Sequence, residues 1–253
     1  MYRTLFVIIG TLLVGACAAE NAQPPAPVET ASTEAAAPQG PAAGTVVAEG
    51  DVPSDIQKDS WGRLPRIDRK NLDAAGQRAF DIVVNPKSRY AGGATGPAGM
   101  WLYSPGMAEH IFPARTYLRD GTEKDQRLTE LAILATAREV RSQYEWTSHE
   151  PAALKAGLEP EIIDIVRSRK SLDGATVPGL GEKERTIVQL AREAVSEPKV
   201  SSATFQKAKE LFGEKGVMDL TGLIGYYSFV NITLKTFDVQ LAPGRTRLLP
   251  PLW

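Results

Sequence analysis

Residues 126–157, QRLTELAILATAREVRSQYEWTSHEPAALKAG, set one carboxylate, Glu130, inside an apolar run and then gather Ser142, Glu145 and His149 within eight residues. Leu128, Leu131, Ala132 and Ala135 make one apolar stripe at helical spacing, and Ile133, Leu134 and Ala137 make a second. A helix apolar on nearly every side is expected to be buried. Glu130 precedes the second stripe by three, four and seven residues, which points its carboxylate into packed surroundings. Lost hydration makes a carboxylate hold its proton more tightly. If 142–149 is helical, Ser142, Glu145 and His149 share a face. The chain has only two histidines, and one stands a helical turn from a glutamate, so this pair is the leading candidate for acid–base chemistry.

Structural readings compete with that one. Ser142-Gln-Tyr-Glu145 also fits a capping box, with the serine hydroxyl accepting from the Glu145 amide and the Glu145 carboxylate reaching back to the Ser142 amide. His149 fits a core histidine satisfied by Glu130 or Glu145, and Glu130 fits an anchor joining two helices through charge-assisted hydrogen bonds.

Glu130-Leu131, Tyr144-Glu145-Trp146, His149 and Ala156-Gly157 resemble the signature of the carboxymuconolactone decarboxylase family, related to the alkylhydroperoxidase D-like proteins. A weaker likeness runs from about Gly96 to Val239 and includes Tyr103-Ser104-Pro105 and Ile224-Gly225-Tyr226-Tyr227. The resemblance implies an all-α domain, a catalytic set of Glu130, Glu145 and His149, and cofactor-free proton transfer. It also implies rings of three subunits or multiples of three, with pockets close to subunit contacts. In the alkylhydroperoxidase branch, two cysteines precede the histidine by seven and four residues; here those positions are Ser142 and Glu145. Thiol-dependent peroxide reduction needs a thiolate and a resolving thiol, and the single cysteine is Cys17. Arg141 stands where many relatives carry glycine, which bears on pocket shape.

At 253 residues and 43% hydrophobic, the chain can bury one sizeable core. Its 29 basic and 30 acidic residues are well mixed, without the basic stripe or zinc-finger spacing of a nucleic-acid surface. Two distant histidines and one cysteine assemble no familiar metal site, so neither metal nor cofactor is expected.

Folded structure is expected from residue 52 to 253. Asn71 is placed to cap a helix carrying Ala79, Phe80, Val83 and Val84. The glycine-rich stretch Tyr90–Gly99 lacks the lysine of a phosphate-binding loop and reads as a mobile loop near a pocket mouth, or as a connector. Ser104-Pro105 starts a helix whose buried stripe is expected at Met107, Ile111, Ala114 and Leu118, with a bend at Pro113. His110 lies at the edge of that stripe and is a secondary site candidate, because the equivalent helix of the family lies near the pocket. Pro151 either kinks the motif helix or starts a new one, and Gly157 ends it. A short helix is expected over Glu159–Arg169, another around Ile187–Val195, and a third over Phe205–Phe212 closed by Gly213. Gly216–Thr236 reads as a core or interface helix in which Gly222 and Gly225 permit close contact, since Asp219, Asn231 and Lys235 argue against a membrane span. The tail Leu248–Trp253 is apolar enough to cover a groove.

Two functions follow. In the first, His149 is the general acid/base, open to solvent in a pocket; Glu145 orients it and Glu130 relays a proton, on a small carbonyl, lactone or carboxylate substrate. Arg138 and Arg141 supply carboxylate-binding forks, and Ser142, Tyr144 and Trp146 complete the pocket wall. In the second, a non-catalytic envelope lipoprotein uses the fold for binding or assembly. A solvent-open Glu130 and His149 in a pocket favours the first; a sealed contact without a cavity favours the second.

The N-terminus reads as an address. Arg3, the apolar run Leu5–Val14 and Val14-Gly15-Ala16-Cys17 resemble a lipoprotein signal (residues 1–16) with Cys17 as the lipidated residue; the other reading is an ordinary signal peptide cut near Ala18. Residues 17–51, rich in Ala, Pro, Thr and Gly, are expected to be a disordered tether. Location in the bacterial envelope follows: lipid-anchored at the outer membrane facing the periplasm, because Ala18 after Cys17 is not the acidic residue of an inner-membrane retention signal, or soluble in the periplasm if the segment is cut as an ordinary signal peptide. Replacing Cys17 with Ser is expected to release the protein from membranes in fractionation while leaving the fold unchanged; full retention would overturn the lipoprotein assignment.

Overall fold

The computed structural model describes residues 43–86 and 88–250. Cys17, the signal segment, most of the tether and the last three residues lie outside them. The described part is all-α: α1 (Ala74–Val83), α2 (Gly96–Trp101), α3 (Pro105–Thr116), α4 (Gln126–Glu139), α5 (Gln143–Lys155), α6 (Pro160–Arg167), α7 (Glu182–Ser196) and α8 (Ser202–Thr236). Among the described residues, extended pairing is limited to two isolated bridges, Val46 with Thr246 and Gln57 with Gly62.

Helix α4 is the axis of the domain, packed against α5, α6, α7 and α8. Every residue from Leu128 to Arg138 is buried, as two apolar stripes require. Asp125 caps it, its carboxylate accepting from Leu128 N at 2.7 Å. Helix α8 breaks at Gly213, whose φ of 68° only glycine adopts freely; the expected stop is therefore a bend between two helical halves. Beyond it, Leu220, Leu223, Ile224, Tyr227 and Val230 enter the core. No described helix is long and apolar enough to cross a membrane. Gly222 does permit a close approach, since a Cβ there would lie 2.9 Å from Leu118, whereas Gly225 faces open space.

Several expectations need correction. Asp73 rather than Asn71 caps α1, accepting from Gly76 N at 2.7 Å, and Asn71 ends a short 3-10 turn before it. The buried stripe of α3 is Ala108 and Phe112. Met107 and Ile111 are only partly buried and Ala114 is exposed, so the stripe is rotated by one residue. Residues 43–51, grouped with the tether by composition, are instead joined to the C-terminal segment. Val47 N donates to Arg245 O at 2.9 Å and Arg247 N to Thr45 O at 2.8 Å, with Val47 buried. Helix α5 passes through Pro151 without stopping, and Gly157 follows it with φ of 86°.

The glycine-rich stretch is not a loop throughout. Its second half is α2, and all six of its residues are buried. Gly96 has φ of 60°, and a Cβ on it would lie 2.4 Å from Tyr144 Oη. Gly96→Ala therefore combines a left-handed non-glycine residue with a collision, and is expected to cost about 1–3 kcal/mol in denaturant unfolding. Unchanged stability would contradict this packing.

Candidate active site

Glu130 on α4 and His149 on α5 meet where the two helices pack. His149 Nδ1 lies 2.7 Å from Glu130 Oε2, and Nε2 lies 3.2 Å from Glu145 Oε2 one turn earlier on α5. Glu130 Oε1 accepts from Arg119 Nη2 at 2.7 Å. Arg119 is carried by a single π-turn, Tyr117–Gly121, that follows α3, and its Nη1 donates to Tyr227 Oη at 2.6 Å. The Tyr227 ring stands edge-on to the imidazole, with centroids 5.2 Å apart. Glu130 and His149 are 2% and 3% exposed, so the expected solvent-open histidine is instead sealed.

Burial acts to push the Glu130 carboxyl up, but the hydrogen bonds and charges of His149 and Arg119 outweigh it and hold it below its ordinary value. Burial likewise acts to lower the His149 imidazole, and the contacts and charges of Glu130 and Glu145 raise it above its ordinary value. An ionised Glu130 can only accept, so Nδ1 donates to it. Arg119 and a protonated His149 then balance the two carboxylates. Both ring nitrogens face carboxylates, leaving neither for a metal, and among the described residues no histidine, cysteine and carboxylate cluster could hold a metal ion.

The α4–α5 connection explains this convergence. Arg141 has φ of 57°, the left-handed conformation that glycine adopts most readily. Ser142 N donates to Ala137 O at 2.8 Å, while Ser142 Oγ accepts weakly from Glu145 N at 3.4 Å. Only half of the expected capping box forms, because the Glu145 carboxylate turns to His149.

Beside Glu145 and His149 lies a cavity of about 30 Å3, also lined by Ser148, Tyr144, Tyr226 and Tyr227, enough for one or two waters. Burial, followed by the Glu145 charge, pushes the Tyr144 phenol up to about 12. Burial also holds Tyr226 and Tyr227 well above the usual phenol value, so all three hydroxyls stay protonated.

The proposed binding residues separate into groups. Tyr144 lines the small cavity. Arg138, Arg141 and Ser142 line a different one, of about 630 Å3, which Tyr144 also borders. Arg138 Nη1 donates to Pro250 O at 2.9 Å. Trp146 is wholly buried, hydrogen-bonded to Glu150 and covered by Arg167 at 5.7 Å, so it is a core residue. His110 is exposed, and its Nδ1 lies 2.7 Å from Gly106 O on its own helix, away from the site. Sequence reasoning missed Arg119; a signal existed, since a buried carboxylate requires a cation, but Arg119 belongs to no periodic pattern.

The sequence matches no family model and no curated protein. Its fold is similar to that of an uncharacterized peroxidase-related protein from Ralstonia eutropha JMP134, solved as an alkylhydroperoxidase AhpD core. The TM-score is 0.55 at 15% identity, covering 75% of this chain and 97% of that one. A protein of unknown function from Agrobacterium tumefaciens, related in its description to the antioxidant defence protein AhpD, aligns with a TM-score of 0.47 at 16% identity, over 56% of this chain and 94% of that one. The first of these likenesses gives the domain an all-α, AhpD-like fold.

The buried cluster makes stability depend on pH at both ends. His149, raised above 6.5, contributes fully below that value and loses its contribution as pH climbs through the folded value. Glu130, held below 4.5, contributes fully above that value and loses its contribution as pH falls through the folded value. Stability from this cluster should therefore be greatest between those values. His149→Gln is expected to flatten the alkaline decline and, by breaking a buried ion pair, to cost about 3–5 kcal/mol. Urea unfolding across pH measures both effects.

Proposed function

We propose that this protein is a cofactor-independent, carboxymuconolactone decarboxylase-like enzyme that moves protons on a small carbonyl, lactone or carboxylate compound. The observation that carries the proposal is the charge-balanced set of Arg119, Glu130, His149 and Glu145, which keeps a proton on an imidazole at the edge of a cavity. In this reading Glu130, neutralised by Arg119, orients His149, and Glu145 and His149 exchange the mobile proton with the substrate. Loss of carbon dioxide from a β-keto or lactone acid would break a carbon–carbon bond. The electron pair would pass into the conjugated carbonyl as an enolate, His149 would protonate the carbon, and water would return the proton to the enzyme. General acid–base catalysis of this kind contributes about 10²–10⁴-fold.

Thiol chemistry is not part of the proposal, because Cys17 is the only cysteine. The proposal also places the protein in the bacterial envelope, anchored through Cys17, as a homo-oligomer. Met218 and Ile232 on α8, 65% and 63% exposed, lie seven residues before and seven after open Gly225 on one helical face, which supports self-association. The sealed Glu130–His149 contact favours a second reading, in which the cluster only joins α4 to α5 and the fold serves binding or assembly.

A panel of β-keto acids and lactone acids tested on the purified protein separates the two. Under the enzyme reading, Glu145→Gln should lower kcat by roughly a hundredfold with the circular dichroism unchanged. A parent inactive across the panel moves the assignment to the scaffold. Peroxide reduction coupled to a dithiol is expected to stay at the buffer rate, and robust turnover would overturn the argument from cysteine content.

A further inference from the structure

The small cavity at His149 adjoins a much larger groove of about 820 Å3 between α1 and α3, lined by Ile82, Val83, Phe112, Pro113, Thr116 and Asp120 among others. Arg89, Tyr90 and Arg115 line both spaces, so they form the boundary between the groove and the acid–base cluster. Among the described residues, neither Arg89 nor Arg115 has a carboxylate partner. Arg119, Arg127, Arg167 and Arg169 are ion-paired; among the described residues Arg138 and Arg141 lack a carboxylate as well, but they line the separate cavity of about 630 Å3 and not this boundary. Arg89 lies over the Tyr90 ring at 5.4 Å, a stacking that leaves the in-plane donors of the guanidinium free.

We propose that Arg89 and Arg115 form an anion-recognition site at the mouth of the His149 cavity, and that its ligand is a small organic carboxylate. The proposal deepens the proton-transfer reading by naming the charged group of its substrate, and it rests on that reading for the direction in which the ligand points. The charges of both arginines are felt on the inner side of the boundary: Arg115 acts on the Tyr226 and Tyr227 phenols and Arg89 on that of Tyr144. Two unpaired guanidinium forks face a groove whose one carboxylate is exposed Asp120. A planar carboxylate matches such forks through paired hydrogen bonds. The rest of the ligand would extend toward Glu145 and His149 once the boundary side chains give way, because the cavity alone holds only water. Arg138 and Arg141, the pair expected from sequence, line another cavity and take no part.

Calorimetric titration of the purified protein with benzoate tests the site without requiring turnover. Benzoate should bind, its neutral isostere benzamide should not, and Arg115→Gln and Arg89→Gln should each weaken benzoate binding at least tenfold. Arg141→Gln should leave it unchanged. Because neither mouth arginine is buried or ion-paired, the melting temperatures of those variants should match the parent. Unaltered affinity in Arg115→Gln and Arg89→Gln, loss in Arg141→Gln, no binding by the parent, or tighter binding of inorganic phosphate than of benzoate would each overturn the proposal. Benzoate binding that follows the two arginines in a protein inactive on every acid tested would retain the anion site while removing the enzymatic reading.

Discussion

Three groups that are costly to bury one by one, Glu130, His149 and Glu145, are buried together with a partly buried Arg119 beside them, and the rest of the domain is arranged so that they meet. An ion taken out of water and left unpaired costs several kcal/mol even after relaxation. Here each carboxylate faces a cation, and the set sums to zero with His149 protonated. The requirement reaches far along the chain. Helix α4 must turn Glu130 toward α5, the α4–α5 connection must set the His149 face, and Tyr227 must come from α8 to receive the second Arg119 donor.

Two local irregularities follow from that arrangement. The π-turn after α3 displaces the chain so that Arg119 reaches inward; such turns often occur at functional sites. Gln126 holds the turn by donating to Arg119 O at 2.7 Å. Arg141 adopts a left-handed conformation that costs a non-glycine residue about 1–2 kcal/mol, and this tight corner lets α5 start immediately. A complete capping box would have drawn the Glu145 carboxylate back to the Ser142 amide. Ala137 O takes that amide instead, and the carboxylate is released to His149.

How much was legible depended on whether a feature repeats along a helix. Burial of α4 on all sides, the inward Glu130 and the shared face of Glu145 and His149 follow from periodicity, and the structure shows each of them. The break at Gly213 was equally readable, because glycine there permits a conformation that other residues resist. The Met107 stripe came out one residue off, since α3 carries apolar residues on several faces and its short pattern does not fix a phase. Asn71 and Asp73 are both good caps; the chain places Asn71 in a 3-10 turn and leaves Asp73 to cap α1. Arg119, and Arg89 and Arg115 at the boundary of the proposed anion site, escaped notice because each meets neighbours distant in sequence. Arg138 and Arg141 drew attention by closeness in sequence, which a left-handed corner converts into a different cavity.

If the domain is the proposed enzyme, the sealing of His149 decides where its selectivity resides. Exposed to bulk water, the imidazolium and its carboxylates would be strongly screened; buried, they interact strongly, but only a water-sized space touches them. Any compound larger than water must first displace side chains from the boundary, so discrimination falls to the groups that meet it there. Tyr90, Arg89 and Arg115 stand at that boundary, Tyr144 and Tyr226 present protonated hydroxyls behind it, and Glu145 and His149 lie beyond. The cluster is built for charge balance and proton retention, and those properties distinguish poorly between one small acid and another. Under the proposed function, chemical identity would be read at the mouth, where Arg89 and Arg115 have no carboxylate partner among the described residues, while the buried cluster would supply a proton whose position two helices, a π-turn and a tyrosine set.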